Sequence, residues 1–187
     1  NEVDLIRMAF DDDFSRFIYL MSEKRVVVFD VDGTLLDGDC LLFAACHSGR
    51  GLSQILSWFF LLPWCLGFYL NLVSEDHLKE RFLRLFGLCS VVNSANVNWL
   101  LDDLITRLRP EALDRLRWHQ LKGDKVVLCS ASPRMLLQPL ADWLNVELLC
   151  TELRGSLGSW QPKLLGANCK GDEKLRRLSD RFGPLKN

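Results

Sequence analysis

A run of β-branched residues that ends on a carboxylate constrains this chain more than any other feature. Arg25-Val26-Val27-Val28-Phe29 offers no polar side, so a strand made from it must be covered on both faces, as in a parallel sheet flanked by helices. The run stops at Asp30, and Asp32-Gly33-Thr34 then turns the chain sharply. Lys125-Val126-Val127-Leu128-Cys129 repeats the pattern and stops at Ser130. In open parallel sheets functional groups gather at the carboxyl ends of strands. Asp30 and Ser130 are therefore expected to face one crevice.

The other segments suit an α/β order. From Leu41 to Leu108 the apolar spacing is helical. Ser74 is placed to cap a helix that has Glu75 and Asp76 in its first turn and Gly87 past its end. Val97, Leu100, Leu101, Leu104, Ile105 and Leu108 predict another. Pro110 fits the first turn of a helix running to Leu121, with Gly123 as its stop. Ser132-Pro133 opens a helix through Leu144 that Pro139 should bend or interrupt, and Val146 to Cys150 predicts a third strand. Gly155 and Gly158 mark a turn, Trp160 a short strand, and Gly171-Asp172-Glu173-Lys174 a last helix ending near Gly183. Leu5, Ile6, Phe10, Phe14, Phe17, Ile18 and Met21 recur at nearly helical spacing and predict a helix at the N-terminus. The expected organisation is an N-terminal helical extension at 1–24, a core formed by 25–40 and 110–187, and a helical insert at 41–109.

Composition narrows the partners. A chain of 187 residues, 49% of them hydrophobic, can build one core carrying an inserted subdomain. Its 23 basic and 24 acidic residues leave a net charge of −1, so there is no basic footprint for nucleic acid and no polybasic membrane tether. The seven cysteines include no C-x-x-C pair and several lie in apolar runs, the pattern of reduced core thiols in a cytoplasmic protein. The first 24 residues lack a basic stretch followed by an apolar one, so a secretory signal is not expected.

Phe29-Asp30-Val31-Asp32-Gly33-Thr34-Leu35-Leu36 resembles the first signature of the haloacid dehalogenase (HAD) superfamily, a strand followed by D-x-D-G-T. Val127-Leu128-Cys129-Ser130-Ala131-Ser132-Pro133 resembles the second, and Lys174, within Asn168-Cys169-Lys170-Gly171-Asp172-Glu173-Lys174, the third. Alone, Ser130 is a strand-end serine and Lys174 a solvated helix residue; in register with Asp30 they gain meaning. With Trp118-His119 and Gly123 before the second strand, the chain is similar to the phosphoserine-phosphatase-like branch, subfamily IB. The resemblance implies a Rossmannoid parallel sheet with a helical cap inserted between the first two signatures, and a Mg²⁺-dependent phosphatase.

These residue types suit phosphoryl transfer, which needs a nucleophile held in line and cations or donors around the equatorial oxygens. Asp30 can attack as a carboxylate and form an aspartyl-phosphate that water later cleaves. Asp32 can protonate the leaving oxygen and then activate the water. The Ser130 hydroxyl, the Lys174 ammonium and backbone N–H groups around Asp32, Gly33 and Ala131 would meet the phosphoryl oxygens. Magnesium would take the Asp30 carboxylate, the Asp32 carbonyl and a further acid. By the resemblance that acid lies in a fourth signature, an acidic loop such as G-D-S-x-x-D. The sequence ends 13 residues past Lys174 and contains no such loop, so the core is expected to be C-terminally incomplete and this piece weakly active. His119 is expected to serve packing, and Asp37 and Asp39 either line the cap side of the site or are solvated.

Residues 55–73, Ile55 to Val73, carry no charge and are long enough for a spanning helix. A single crossing would separate Asp30 from Ser130, so the segment is expected instead to be a buried cap helix, a pair of helices broken near Pro63 and Gly67 that dips into the membrane interface, or a surface that grips a lipid tail. Trp58, Trp64 and Tyr69 are interfacial residue types. Similar segments occur in phosphatidylglycerophosphatase C type proteins, which implies a lipid phosphate monoester as substrate, at the cytoplasmic face of the membrane. A small soluble phosphomonoester such as phosphoserine is the alternative substrate; a non-catalytic HAD-fold protein that binds membranes is the alternative from another class.

Overall fold

The computed structural model describes residues 3–10, 14–21, 25–48, 51–88, 98–154, 162–183 and 185–186. Strands β3 (Val26–Phe29), β4 (Lys125–Pro133) and β5 (Glu147–Thr151) form a parallel sheet in the order β3-β4-β5. Val26 pairs with Lys125 and Phe29 with Leu128, so Asp30 and Ser130 leave the sheet at the same end. The pairing of β4 with β5 slips between Ser130 and Pro133, an irregularity of the kind that re-aims side chains beside functional sites.

Both faces of the sheet are covered, as the all-apolar strands demand. Val27, Phe29, Val126 and Leu128 enter the larger core, together with Ala112 and Leu116 of α5 (Pro110–Leu121) and Leu136, Leu137, Leu140 and Leu144 of α6 (Arg134–Leu144). Val26, Val28, Val127 and Cys129 alternate to the other face and meet Leu178 of α7 (Asp172–Phe182) and Cys169. Each fully buried leucine of the α6 row contributes roughly 1.5–3 kcal/mol, which makes this helix a main support of the sheet. Pro139 lies inside α6 without interrupting it, and the helix ends at Asn145 in the left-handed region (φ 54°). Its neighbours in the core outweigh the hydrogen bond that the proline removes.

Among the described residues the insert contains α1 (Cys40–Ser48), α2 (Leu52–Tyr69), α3 (Glu75–Leu85) and α4 (Asn98–Thr106). Its entry and exit are stitched together: the Asp37 amide donates to the Arg107 carbonyl at 2.8 Å and the Arg109 amide to the Leu35 carbonyl at 2.9 Å. Ser74 caps α3, its hydroxyl accepting from the His77 amide. Helix α2 runs unbroken through Pro63, so the expected break near Pro63 and Gly67 does not occur. Nor is α2 a buried cap helix. Of its residues only Leu61 is buried, while Trp58 packs edge-on to Phe82 and Phe86 of α3.

The helix expected in the N-terminal extension is absent. Residues 3–10 and 14–21 are strands β1 (Val3–Phe10) and β2 (Phe14–Met21), paired antiparallel from Val3–Met21 to Phe10–Phe14, with β8 (Leu185–Lys186) parallel to β1. In a short apolar run, periodicity does not separate helix from strand; Asp11-Asp12-Asp13, between two runs rich in Phe and Ile, is also a turn signal. A two-residue pair, β6 (Leu153–Arg154) and β7 (Lys163–Leu164), follows β5. The turn expected at Gly155 and Gly158 and the strand at Trp160 lie outside the described residues.

Candidate active site

Beyond β3 the chain folds into a tight loop in which the amides of Thr34, Leu35 and Leu36 all point at the Val31 carbonyl. Gly33 makes the turn in the left-handed region (φ 72°), which favours glycine. The loop presents two carboxylates. Asp30 Oδ1 accepts from Lys174 Nζ at 2.6 Å and Asp30 Oδ2 from Thr34 Oγ1 at 3.3 Å. Lys174 lies in the first turn of α7 and is partly buried. Burial works against its charge, but the Asp30 carboxylate beside it more than compensates and holds the ammonium above its ordinary range.

Asp32 faces the other way. Its Oδ1 accepts from the Cys40 amide at 2.8 Å, and its Oδ2 accepts from the Ser130 and Ser132 hydroxyls, both at 2.8 Å. Ser130 is fully buried, and its oxygen in turn accepts from the Ser132 amide at 2.9 Å. Strand β4 thus clamps the second carboxylate through two serine hydroxyls.

The structure brings Asp30, Asp32, Ser130 and Lys174 together. The Gly33 amide donates to the Gly38 carbonyl at 2.9 Å, so it is already engaged inside the loop. At Ala131 the described bonds are to the carbonyl, which accepts from Thr151 Oγ1 at 2.6 Å and from Lys79 Nζ at 2.9 Å.

Lys79 is a residue the sequence did not single out. From α3 it crosses to the core, where it also donates to Asn168 Oδ1 at 2.6 Å, and burial lowers its pKa. Glu75, one turn earlier, accepts from Lys170 Nζ at 3.0 Å. Spacing could not reveal either contact, because each joins segments far apart in the chain. Ser132, Thr34 and Asn168, by contrast, lie inside the quoted signatures.

The remaining candidates separate cleanly. Asp37 pairs with Arg109 at 3.3 Å on the surface. Asp39 caps α1, accepting from the Leu41 and Leu42 amides at 2.8 and 3.1 Å. Burial first, and the Asp32 charge second, raise its pKa. His119 is buried, bonded through Nδ1 to Asp124 Oδ2 at 2.8 Å and edge-on to Phe29. It packs the core beside the turn into β4.

The oxygen donors here are of the kind magnesium prefers, but the set is short. Among the described residues no three His, Cys, Asp or Glu side chains converge as a metal site. Asp30 and the Asp32 carbonyl are oxygen donors of that kind; a further carboxylate beside them is not found among the described residues.

The family model for haloacid dehalogenase-like hydrolases matches residues 27–185. Protein CicA of Caulobacter vibrioides, in strains NA1000 / CB15N and ATCC 19089, is 42% identical over 174 residues, covering 87% of this chain and 74% of that protein. A Bordetella pertussis Tohama I structure of unknown function superposes with a TM-score of 0.71 at 22% identity, over 85% of this chain and 74% of that one. A phospho-aspartyl intermediate analogue of phosphoserine phosphatase gives a TM-score of 0.53 at 15% identity, over 87% and 74% of the two chains. At these identities the two structures speak for the α/β fold.

Proposed function

Since this chain belongs to the haloacid dehalogenase-like hydrolase family, we propose that it is the body of a phosphomonoester hydrolase whose nucleophile is Asp30. The observation that carries this reading is the Lys174 ammonium 2.6 Å from Asp30 at the strand end where Asp32 and Ser130 also meet. A phosphoryl group entering there would find a carboxylate oriented by one cation. Asp30 attacks phosphorus, the ester oxygen leaves with a proton carried by Asp32, and the aspartyl-phosphate is hydrolysed by a water that returns that proton to Asp32. Lys174 offsets the charge on the phosphoryl oxygens, and Ser130 and Ser132 hold Asp32 in place. Magnesium, when held by the Asp30 carboxylate and the Asp32 carbonyl, supplies further charge neutralisation.

The substrate class we propose is a lipid phosphate monoester such as phosphatidylglycerophosphate, met at the cytoplasmic face of a membrane, as in phosphatidylglycerophosphatase C type proteins of the phosphoserine-phosphatase-like subfamily IB. Helix α2 supports it. Its inner side packs on α3, and its outward side is Leu52, Ile55, Leu56, Phe59, Phe60, Leu62 and Leu66, all exposed and none charged. A surface helix ordinarily turns a polar face outward. One observation favours a soluble substrate such as phosphoserine instead: Lys79 and Glu75 place charges on the seam between α3 and the core.

Phosphate release by the full natural chain, with magnesium and with lipid and soluble phosphomonoesters side by side, decides among these. Faster release from the lipid ester, abolished by Asp30→Asn, is expected. Activity that survives Asp30→Asn removes the nucleophile, and membrane binding without any release leaves the non-catalytic reading.

A further inference from the structure

On the sheet face covered by α7, directly behind the proposed site, two thiols face each other. Cys129 Sγ and Cys169 Sγ are 3.9 Å apart, and neither residue is exposed to solvent. The hydrolysis proposed above uses neither. We propose that Cys129 and Cys169 are a redox modification site, forming a reversible intramolecular disulfide with peroxide that disturbs the catalytic end of the sheet. Only the effect on turnover rests on the proposed function.

The two cysteines are unequal. Cys129 belongs to the central strand β4, fixed between β3 and β5, and immediately precedes Ser130. Cys169 lies outside any helix or strand, in the loop that leads to α7. Closing the gap to the disulfide length of about 2.05 Å therefore falls on the loop. Their surroundings include Val26, Val28, Val127 and Leu178, which offer the thiols no hydrogen-bonding side chain. Chemistry adds a direction: the hydrogen bond the two sulfurs share, together with the charges of Arg177 and Lys174, lowers the pKa of the Cys169 thiol. Cys129 is pushed up by the same bond and by burial. Cys150, by contrast, is pushed up to about 12, chiefly by burial.

Cys169 is thus the attacking sulfur and Cys129 the resolving one. The Cys169 thiolate attacks a peroxide oxygen; the S–O bond forms, the O–O bond breaks, and the departing hydroxide takes a proton to become water. The Cys129 sulfur then attacks the sulfenic sulfur, the S–S bond forms, the S–O bond breaks, and the Cys129 proton leaves with the hydroxide as a second water. Two thiols are oxidised and one peroxide is reduced.

Drawing Cys169 toward β4 pulls on what it holds. Its amide donates to Thr151 Oγ1 at 3.0 Å, and its neighbour Asn168 accepts from Lys79, the lysine that reaches the core from α3. Lys174 follows five positions later, its amide bonded to the Gly171 carbonyl at 3.0 Å. Displacements of this size near reacting groups cost about a hundredfold in rate when they misplace the catalytic groups.

The experiment treats the full natural chain with hydrogen peroxide, then maps disulfides by mass spectrometry before and after dithiothreitol. Expected are a peptide pair linked through Cys129 and Cys169, a mass about 2 Da lower, and full reversal by the reductant. Neither Cys169→Ala nor Cys129→Ala should give the linked pair, and phosphate release by Cys169→Ala should resist peroxide. If both thiols stay free in the parent protein while exposed Cys46 and Cys65 oxidise, the site is overturned. If the pair links and phosphate release falls less than about twofold, the disulfide stands and its effect on the site is overturned. Linkage is read from mass alone, so a chain with no phosphatase activity refutes the proposed function and still decides the disulfide.

Discussion

Lys174 Nζ lies 2.6 Å from Asp30 Oδ1 although 144 positions separate the two residues, and this ion pair joins the first turn of α7 to the end of β3. Replacing Lys174 by alanine removes the one cation the described structure places on the proposed nucleophile. The expected loss in kcat is roughly 10²–10³-fold, the cost of deleting a preorganised charge-stabilising donor. Steady-state kinetics with a thermal melt checks it; a loss under about threefold in a folded variant contradicts the role given to Lys174.

Ser132→Ala removes one of the two hydroxyls on Asp32 Oδ2 and leaves Ser130 in place. One such bond to a charged group is worth about 1.5–3 kcal/mol, so Asp32 should hold its position less well and kcat should fall roughly tenfold to a hundredfold. A change confined to KM would show that Ser132 serves binding instead.

Asp39 has a pKa raised by burial and by Asp32, so its carboxylate is disfavoured in the folded protein. A folded-state pKa above the unfolded value means that folding binds more protons in that window, and stability is lost as pH rises through it. Asn caps a helix as well as Asp does. Asp39→Asn should therefore melt higher than the parent at pH 7, with the difference closing as pH falls below the ordinary aspartate range. Melting curves across pH read this directly, and a gap that widens in acid refutes it.

Asp124→Ala leaves the buried His119 without its partner on Nδ1, when among the described residues its Nε2 already has no hydrogen-bond partner. The cost should be about 1–3 kcal/mol in chemical denaturation. Activity per folded molecule should be unchanged, since the pair packs beneath the turn into β4 and touches none of the proposed catalytic groups. Loss of kcat at full stability would move His119 into the site.

Phe59, Leu62 and Leu66 of α2 are 64%, 61% and 58% exposed. Leu62→Glu places a charge in the middle of that face while sparing Leu61, which faces the core. Flotation with liposomes should show the parent protein in the lipid fraction and the variant largely in the aqueous one. Equal partition of both removes α2 as a membrane contact.

Much of this molecule is legible along the chain. Val26–Phe29 and Lys125–Cys129 can only be strands covered on both faces, and the caps at Ser74, Pro110 and Gly123 mark helix ends through local chemistry. Residues 3–21 were not legible in that way, because a short apolar run satisfies both periods; pairing with a second strand decides between them, and that is a long-range event. Pro139 shows the converse, since packing along the rest of α6 outweighs one missing hydrogen bond; Pro63 likewise leaves α2 unbroken.

The sequence by itself determined the α/β class, the two carboxylates after β3, and the serine and lysine that accompany them, because strand burial and turn chemistry act over a few residues. Only the tertiary structure decided which group each of them touches. Ser130 turns to Asp32, Lys174 to Asp30, Lys79 reaches from α3 to the Ala131 carbonyl, and Cys129 meets Cys169. These contacts depend on the register of parallel strands and on how helices settle against the sheet. Distance along the chain carries no record of either.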